Sequence, residues 1–461
     1  MGKGTRRLKA KAKNKRRGEP PAGPTSVDDL PDELLILILL GLSSSLHLVH
    51  AAATCRRWRC AITDAGFLAC FGSLHGAPCV AGHYYVPETL PHHYSDQWRH
   101  QIPEEKTTFV PVSPCVVNAS HFSLDFLYVP PGDDGDDRPR YAYRRPRRVR
   151  HSRSREIVDS RGSRLLLTNR PCTEGRYQSP DFIVCEPLTR RYQGITQPAT
   201  LSRHDFLGGF LLAGDIGRGS GGCRDSMSSF RVLSVLYEQD GSFGTPRACV
   251  FTPGSDGGWQ FRWHPMDDDD GGGIELPTID KIHLAGRAAG MIYWGLETGT
   301  VLVLDESTLV FSLLTFPEHM QWPYRSTSFR VIGGSDDTVQ VLRLDGQDLV
   351  VYGQMPGSGQ WVVEKSVRVR DAAAGLPGWR DSFSAQPARI VAADDTFVLL
   401  SRTEKTWIFS VELESMEAER RHERNRHAGP AYPCALPWPP LLQACLNHSD
   451  IVGKRRQQRN G

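Results

Sequence analysis

Seven consecutive apolar residues, Leu34 through Leu40, constrain this chain more than anything else in it. They sit within residues 27–74, the only part where apolar residues recur at helical spacing over several turns. Leu35, Ile38, Leu39 and Leu42 fall at i, i+3, i+4 and i+7, which puts them on one helix face. Pro31 suits the first helical position, where its missing N–H would be unpaired anyway. Asp32 and Glu33 follow, at the helix end that favours negative charge. Ser43, Ser44 and Ser45 interrupt the pattern, and any of them can cap a second helix. That helix carries Leu46, Val49, His50 and Ala53, and a third carries Cys55, Trp58 and Ile62. Asp64 and Gly66 read as a turn before a short fourth helix with Phe67, Leu68 and Phe71. A helical module of about 45 residues cannot bury a self-sufficient core. A helix that is apolar almost all round must be covered on more than one side. The block is therefore either a subdomain packed on the main body or a docking module whose spare face belongs to a partner.

The residues favour the second reading. Leu30-Pro31-Asp32-Glu33-Leu34-Leu35, then Ile38-Leu39-Leu40-Gly41-Leu42, Leu48-Val49 and Cys55-Arg56-Arg57-Trp58-Arg59, resemble an F-box in order and spacing. Phe67, Leu68 and Phe71 resemble the tail of that motif in plant members. There are two departures. Ser43 stands where the family usually has proline, and Ile36 and Leu37 stand where it usually has acidic residues, which adds apolar surface. The resemblance implies docking on a Skp-type adaptor, and through it on a cullin–RING ligase. The implied contact residues are Leu30, Pro31, Leu34, Leu35, Ile38, Leu39, Leu42, Val49, Cys55 and Trp58. Some of these hold the helices together instead, and sequence does not separate the two roles.

The rest of the chain is of another kind. Its length of 461 residues allows two or three domains. With 39% hydrophobic and 23% charged residues, it has the composition of a soluble globular protein. Eleven cysteines without paired spacing, and no evident secretory signal, argue for free thiols in a reducing compartment. Nucleus and/or cytoplasm is the expected location. No apolar run approaches the roughly 20 residues of a membrane span, so no membrane partner is expected. Residues 1–26 read as a disordered basic tail. Within it, Lys13, Lys15, Arg16 and Arg17 form a possible nuclear-import cluster, and Lys454-Arg455-Arg456 lies in a second basic tail at 450–461.

From residue 77 to 412, short apolar runs alternate with Gly, Pro, Asp and Ser clusters and read as strands, beginning with Phe122–Val129. Asp345-Gly346 carries a tight-hairpin signal. Many short strands spaced about ten residues apart mean a sandwich, barrel or propeller, and so long a region suits a propeller best. No clean repeat aligns. Val184-Cys185-Glu186-Pro187-Leu188-Thr189-Arg190-Arg191-Tyr192 resembles the strand–turn–strand of plant F-box-associated β-propeller domains. Gly286 to Trp294, followed by Val303-Leu304-Asp305, resembles their later blades. The expected fold is thus multidomain: a small all-α F-box of three to four short helices, then a large all-β domain, a six- or seven-bladed β-propeller. A disordered acidic-to-basic insert is expected at 132–155. A charged, weakly helical linker is expected at 413–429, and a Pro/Trp strap that packs Trp438 on the propeller at 430–449.

No catalytic set stands out, and no cofactor or metal is called for. Gly217 to Gly222 matches the dinucleotide fingerprint formally, but no apolar-periodic helix follows it. Asp267 to Asp270 before Gly271 fails the calcium-loop register, which would put Pro277 at the last ligand position. His75, Cys79 and His83 lack metal-finger spacing. The expected function is that of a non-enzymatic substrate-recognition subunit of an SCF-type ubiquitin ligase, with the propeller holding a target that the sequence does not identify. An alternative is a nuclear nucleic-acid-associated propeller using the Arg/Lys-rich segments, although aspartates beside Arg138 to Arg155 would screen phosphate contacts. An enzyme built on a propeller would need carboxylates or a metal converging on its channel.

Overall fold

Apolar runs that continue without alternation, such as Leu165-Leu166-Leu167 and Val301 to Leu304, belong in strands buried on both faces. The computed structural model explains why. It describes residues 30–43, 45–75, 80–86, 107–112, 117–127, 153–171, 180–212, 230–253, 259–263, 274–334, 338–355, 357–380, 387–401, 407–420 and 430–436. Four helices come first: α1 (Asp32–Leu40), α2 (Ser45–Thr54), α3 (Arg56–Ile62) and α4 (Ala65–His75). Strands β1 (Val80–Tyr85) and β2 (Thr108–Pro111) follow.

Four-stranded meanders then succeed one another. The first is β3 (Arg153–Arg161), β4 (Arg164–Pro171), β5 (Asp181–Glu186) and β6 (Arg191–Ile195). The second is β7 (Asp205–Leu212), β8 (Arg231–Asp240), β9 (Phe243–Pro253) and β10 (Trp259–Trp263). The third is β11 (Ile282–Ala288), β12 (Met291–Leu296), β13 (Val301–Asp305) and β14 (Phe311–Leu314). The fourth is β15 (Phe329–Gly333), β16 (Val339–Asp345), β17 (Asp348–Gln354) and β18 (Trp361–Arg368). The fifth is β19 (Arg389–Ala393), β20 (Phe397–Ser401), β21 (Ile408–Glu412) and β22 (Ala418–Glu419). Strand β23 (Ala431–Ala435) then returns to pair antiparallel with β1, giving the order β2-β1-β23. Among the described residues the result is six blade-like sheets, the architecture of a β-propeller.

First strands meet first strands: β3 lies against β7, β7 against β11, β11 against β15, and β23 against β3. Each of these strands is therefore the innermost of its blade. Leu165, Leu167 and Cys185 face one neighbour while Leu166, Phe182 and Val184 face the other, so a blade contributes to two cores at once. The third and fourth blades are joined directly by one parallel pair, Gly286 with Val331. A Cβ on Gly286, whose φ is +152°, would lie 1.9 Å from the Val331 carbonyl oxygen, so only glycine permits this approach.

The repeat that eludes alignment by residue type is present in the backbone. An extra residue bulges from the innermost strand in four blades: Val158 in β3, Leu207 in β7, Ala285 in β11 and Val391 in β19. Bulges bend a strand and raise its twist, as a tightly curved inner position requires. A second repeat closes the third-to-fourth-strand hairpin of alternate blades. Glu186, Asp305 and Glu412 each end the third strand, and Arg190, Leu309 and Met416, four residues on, adopt φ of 56°, 59° and 59°. The acid braces the turn. Glu186 is buried and accepts hydrogen bonds from the Ser163 hydroxyl at 2.9 Å, Arg191 Nη2 at 2.9 Å, and the Thr189 hydroxyl.

Three expectations change. The described part of the expected strand Phe122–Val129 is not extended; Ala119–Phe122 and Asp125–Leu127 are 3₁₀ turns, and residues 128–129 lie outside the described residues. The Asn118 and Ser123 side chains accept backbone N–H bonds at 3.0 and 3.2 Å there, and such local bonds compete with a ladder. The expected linker at 413–429 contributes β22 to the fifth blade instead of helix. The expected strap begins as β23, an innermost strand, with Cys434 and Leu436 in the core; Trp438 lies outside the described residues. So does the bulk of the 132–155 insert, although its last residues, Arg153 to Arg155, open β3.

A charge network ties the first three blades together. Asp159 on β3 accepts the Leu211 N–H of β7 at 2.6 Å and Arg287 Nη1 of β11 at 3.1 Å. Arg287 also donates to the Leu211 carbonyl at 2.9 Å and to both carboxylate oxygens of Glu306. Arg161 donates to Glu306 at 3.0 Å. Burial pushes the Asp159 carboxyl up to about 6 despite Arg287, whereas Arg287 and Arg161 hold Glu306 below the ordinary glutamate range against its own burial. A carboxyl raised in the fold contributes stability that is complete below its unfolded value and is lost as pH rises through its folded value. Asp159→Asn is therefore expected to gain thermal stability relative to the wild type as pH goes from 5 to 7. Melting curves of both chains at the two pH values check this, and a constant difference would contradict it.

Candidate adaptor-docking surface

Nine residues of α1 make a helix too short to stand alone, so tertiary contacts must hold it. Leu35 and Leu39 do so, at 1% and 0% exposure, in a cluster with Leu48, Ala51 and Ala52 of α2, Ile62 of α3, and Phe67 and Phe71 of α4. Leu40, Leu42 and Trp58 pack around this cluster half-buried. Asp64 accepts the Phe67 N–H at 3.0 Å and caps α4, which rationalises the turn there.

Among the described residues, nothing covers another side of α1. Leu34, Leu37 and Ile38 are 48%, 63% and 50% exposed, and they recur at i, i+3 and i+4. Ile36 flanks them at 38%. Leu37 lies across the helix from Leu35 and Leu39, and Leu34 and Ile38 lie beside it, so the three form one solvent-facing apolar stripe. The sequence grouped Leu35, Ile38, Leu39 and Leu42 on one face. The structure divides that group, because a helix apolar all round gives no periodic signal of which side turns inward.

The remaining positions fall as follows. Leu30 is half-buried, and its carbonyl accepts from Arg57. Pro31 is exposed at the N-cap, one residue earlier than the first helical position expected for it. Cys55 caps α3, its sulfur accepting the Trp58 N–H at 3.5 Å. Val49 is fully buried, in the same cluster as Ala81 and Tyr84 of β1 and Cys434 of β23, so it joins the helices to the closing blade. Lys13, Lys15, Arg16 and Arg17 lie outside the described residues. Leu37 was read only as a departure from the motif, yet it is the most exposed residue of the stripe. Leu74, 62% exposed near the end of α4, is another apolar residue left open; its place three residues after the inward Phe71 would instead put it on the buried face, so spacing gives no signal for it. Among the described residues no group of three or more His, Cys, Asp or Glu could hold a metal ion.

A protein-family model described as F-box-like matches residues 27–68. A second, described as F-box protein AT5G49610-like, beta-propeller, matches residues 156–442, well over half of the chain. This chain belongs to that family. F-box domains generally bind Skp-type adaptors, and F-box β-propeller proteins are as a rule non-catalytic. The family model runs past the expected propeller boundary at residue 412 and includes β23. No curated protein matches the chain. Similar solved structures include a functionally unknown protein from Desulfotomaculum acetoxidans, 14% identical, covering 60% of this chain and 75% of that one with a TM-score of 0.32. The Cps50 (Swd1) β-propeller domain from Myceliophteria thermophila is 11% identical, covers 59% and 76%, and has a TM-score of 0.31. Likeness at this level carries no argument about function.

The division of α1 has a measurable consequence for this F-box propeller protein. Leu39→Ala leaves a cavity and is expected to cost about 2–5 kcal/mol in the helical unit. Leu37→Ala removes solvent-facing atoms and should stay within about 0.5 kcal/mol of the wild type. Helical circular dichroism during thermal unfolding distinguishes the two; equal effects would mean that the helix is turned otherwise.

Proposed function

We propose that this chain is the substrate-recognition subunit of an SCF-type cullin–RING E3 ubiquitin ligase. The F-box docks on a Skp-type adaptor, and the propeller binds the target protein. The observation that carries the reading is the Leu34–Leu37–Ile38 stripe, apolar and exposed among the described residues on helices that otherwise pack inward. Covering a leucine or isoleucine contributes roughly 1.5–3 kcal/mol, so three of them can supply a firm protein contact. Of the residues that the F-box resemblance implies for adaptor contact, Leu34, Pro31 and Ile38 are exposed and suit direct contact. Leu35 and Leu39 act by holding α1 in place, and Val49 by holding the helices on the propeller.

The chain itself performs no chemistry in this reading. It brings target lysines beside a charged ubiquitin-conjugating enzyme, which raises their effective concentration. The buried Val49 joint supports that role, since a ligase gains from a fixed separation between adaptor and target. Action in the nucleus and/or cytoplasm, where such ligases and their targets meet, is part of the proposal.

Leu34→Asp with Leu37→Asp is expected to weaken binding to a purified Skp-type adaptor by at least tenfold, with the melting temperature unchanged within about 2 °C. Biolayer interferometry on the full chain reads the first quantity and thermal unfolding the second. Undiminished adaptor binding by a folded double variant would sink the reading.

A further inference from the structure

We propose that Arg57 and His75 are positioning residues that grip α1 at its two ends and so set the angle at which its apolar stripe meets the adaptor. The inference rests on the adaptor-docking reading and specifies what holds that site in shape.

Helix ends leave backbone groups without intrahelical partners. At the start of α1, Pro31 makes no side-chain capping bond. Arg57, reaching across from α3, supplies the tie instead. Its Nε and Nη2 donate to Asp32 Oδ1 at 2.9 and 2.6 Å, and Nη2 also donates to the Leu30 carbonyl. One guanidinium thus holds both the entering strand and the first residue of the helix. Only a planar fork of donors can do this; a lysine ammonium on a flexible stem lacks the geometry.

At the other end, the Gly41 and Leu42 N–H groups bond to the Leu37 and Leu39 carbonyls at 3.1 and 3.3 Å, and the last turn of α1 holds no basic side chain. The Leu40 carbonyl is met by His75 Nε2 of α4 at 2.7 Å. The imidazole is held in turn by the Phe71 ring, their centroids 4.2 Å apart. Phe71 is itself fully buried in the helical core, so the donor stands on a rigid base.

Leu35 and Leu39 lie one turn apart on a single line of α1. Two buried side chains in a row, with half-buried Leu40 beside them, fix the depth of the helix against its neighbours, and its angle is set by what holds its ends. Leu34, Leu37 and Ile38 project from the far side, so a small rotation displaces them most. Asp32, three residues before Leu35, continues that line, and the Leu40 carbonyl lies just past Leu39, so the two grips fix the ends of the line and with them its tilt.

The test uses the full chain with a purified Skp-type adaptor and compares four variants. Arg57→Met removes the fork, and His75→Phe keeps a ring against Phe71 without the donor. His75→Gln keeps a donor, and Leu34→Asp with Leu37→Asp reports on the stripe itself. His75→Phe and Arg57→Met are each expected to weaken adaptor binding about three- to tenfold, mainly through faster dissociation, with melting temperatures close to the wild type. His75→Gln is expected to return to within about twofold of the wild type. If the stripe variant loses binding while His75→Phe and Arg57→Met bind like the wild type, the positioning role is wrong and the docking reading survives. If the stripe variant binds normally, both fall. A His75→Phe chain whose helices melt early, or one that glutamine does not rescue, marks a merely structural contact and also overturns the assignment.

Discussion

The closing sheet depends on one antiparallel pairing, that of Ala431–Ala435 with Val80–Tyr85. Without it β1 and β2 would be a two-stranded ribbon, which is marginal in water, and the inner edge of the sixth blade would be bare. An unpaired strand edge invites association with other chains. With it, the last described strand takes the innermost place beside β3, and residues more than 340 positions apart in sequence share one core. The Ala435 N–H also reaches the Gly162 carbonyl at 2.8 Å, stitching the closing blade to the first. The four helices take their footing here as well, since Val49 sits in the same cluster as the closing strands.

Against that tightly joined body, α1 is an exception of a definite kind. Nearly every other apolar run in the described chain is covered on both sides, whether between blades or between helices. Among the described residues the α1 helix is covered on one side only, although its sequence would suit cover on both. The chain therefore holds in solution an apolar ridge of a kind that monomeric proteins usually hide or reserve for a partner.

Much of this was legible in advance, and the parts that were not share physical causes. The helical block was readable because turns, caps and spacing agreed with a familiar motif. Central strands such as Asp181–Glu186 and Val301–Asp305 were readable because a strand buried on both faces is continuously apolar. Among the innermost strands β7, β15 and β19 read as apolar runs, but β11 does not: it carries His283, Gly286 and Arg287 among its apolar residues, and Arg287 belongs to the charge network. Strands β1 and β23 were missed because Gly82, His83 and Pro433 break any apolar pattern. The docking face was half legible. Its composition was plain, but the choice between Leu35 and Leu34 as the inward residue belongs to packing against Phe67 and Phe71, which no local pattern encodes. The contributions of Arg57 and His75 bridge 25 and 35 residues respectively and left no trace in spacing.

The order of strands along the chain has a bearing on how the protein comes into being. Everything the helical unit needs for its own core is complete by His75, whereas the ring waits for a strand some 350 residues later. Yet during synthesis the helices wait on the same late strand, because Val49 finds its partners only when β1 and β23 have met. An adaptor that binds the emerging chain would lend these few helices the cover they lack, and would shield their leucines through the interval when the blades are still unjoined.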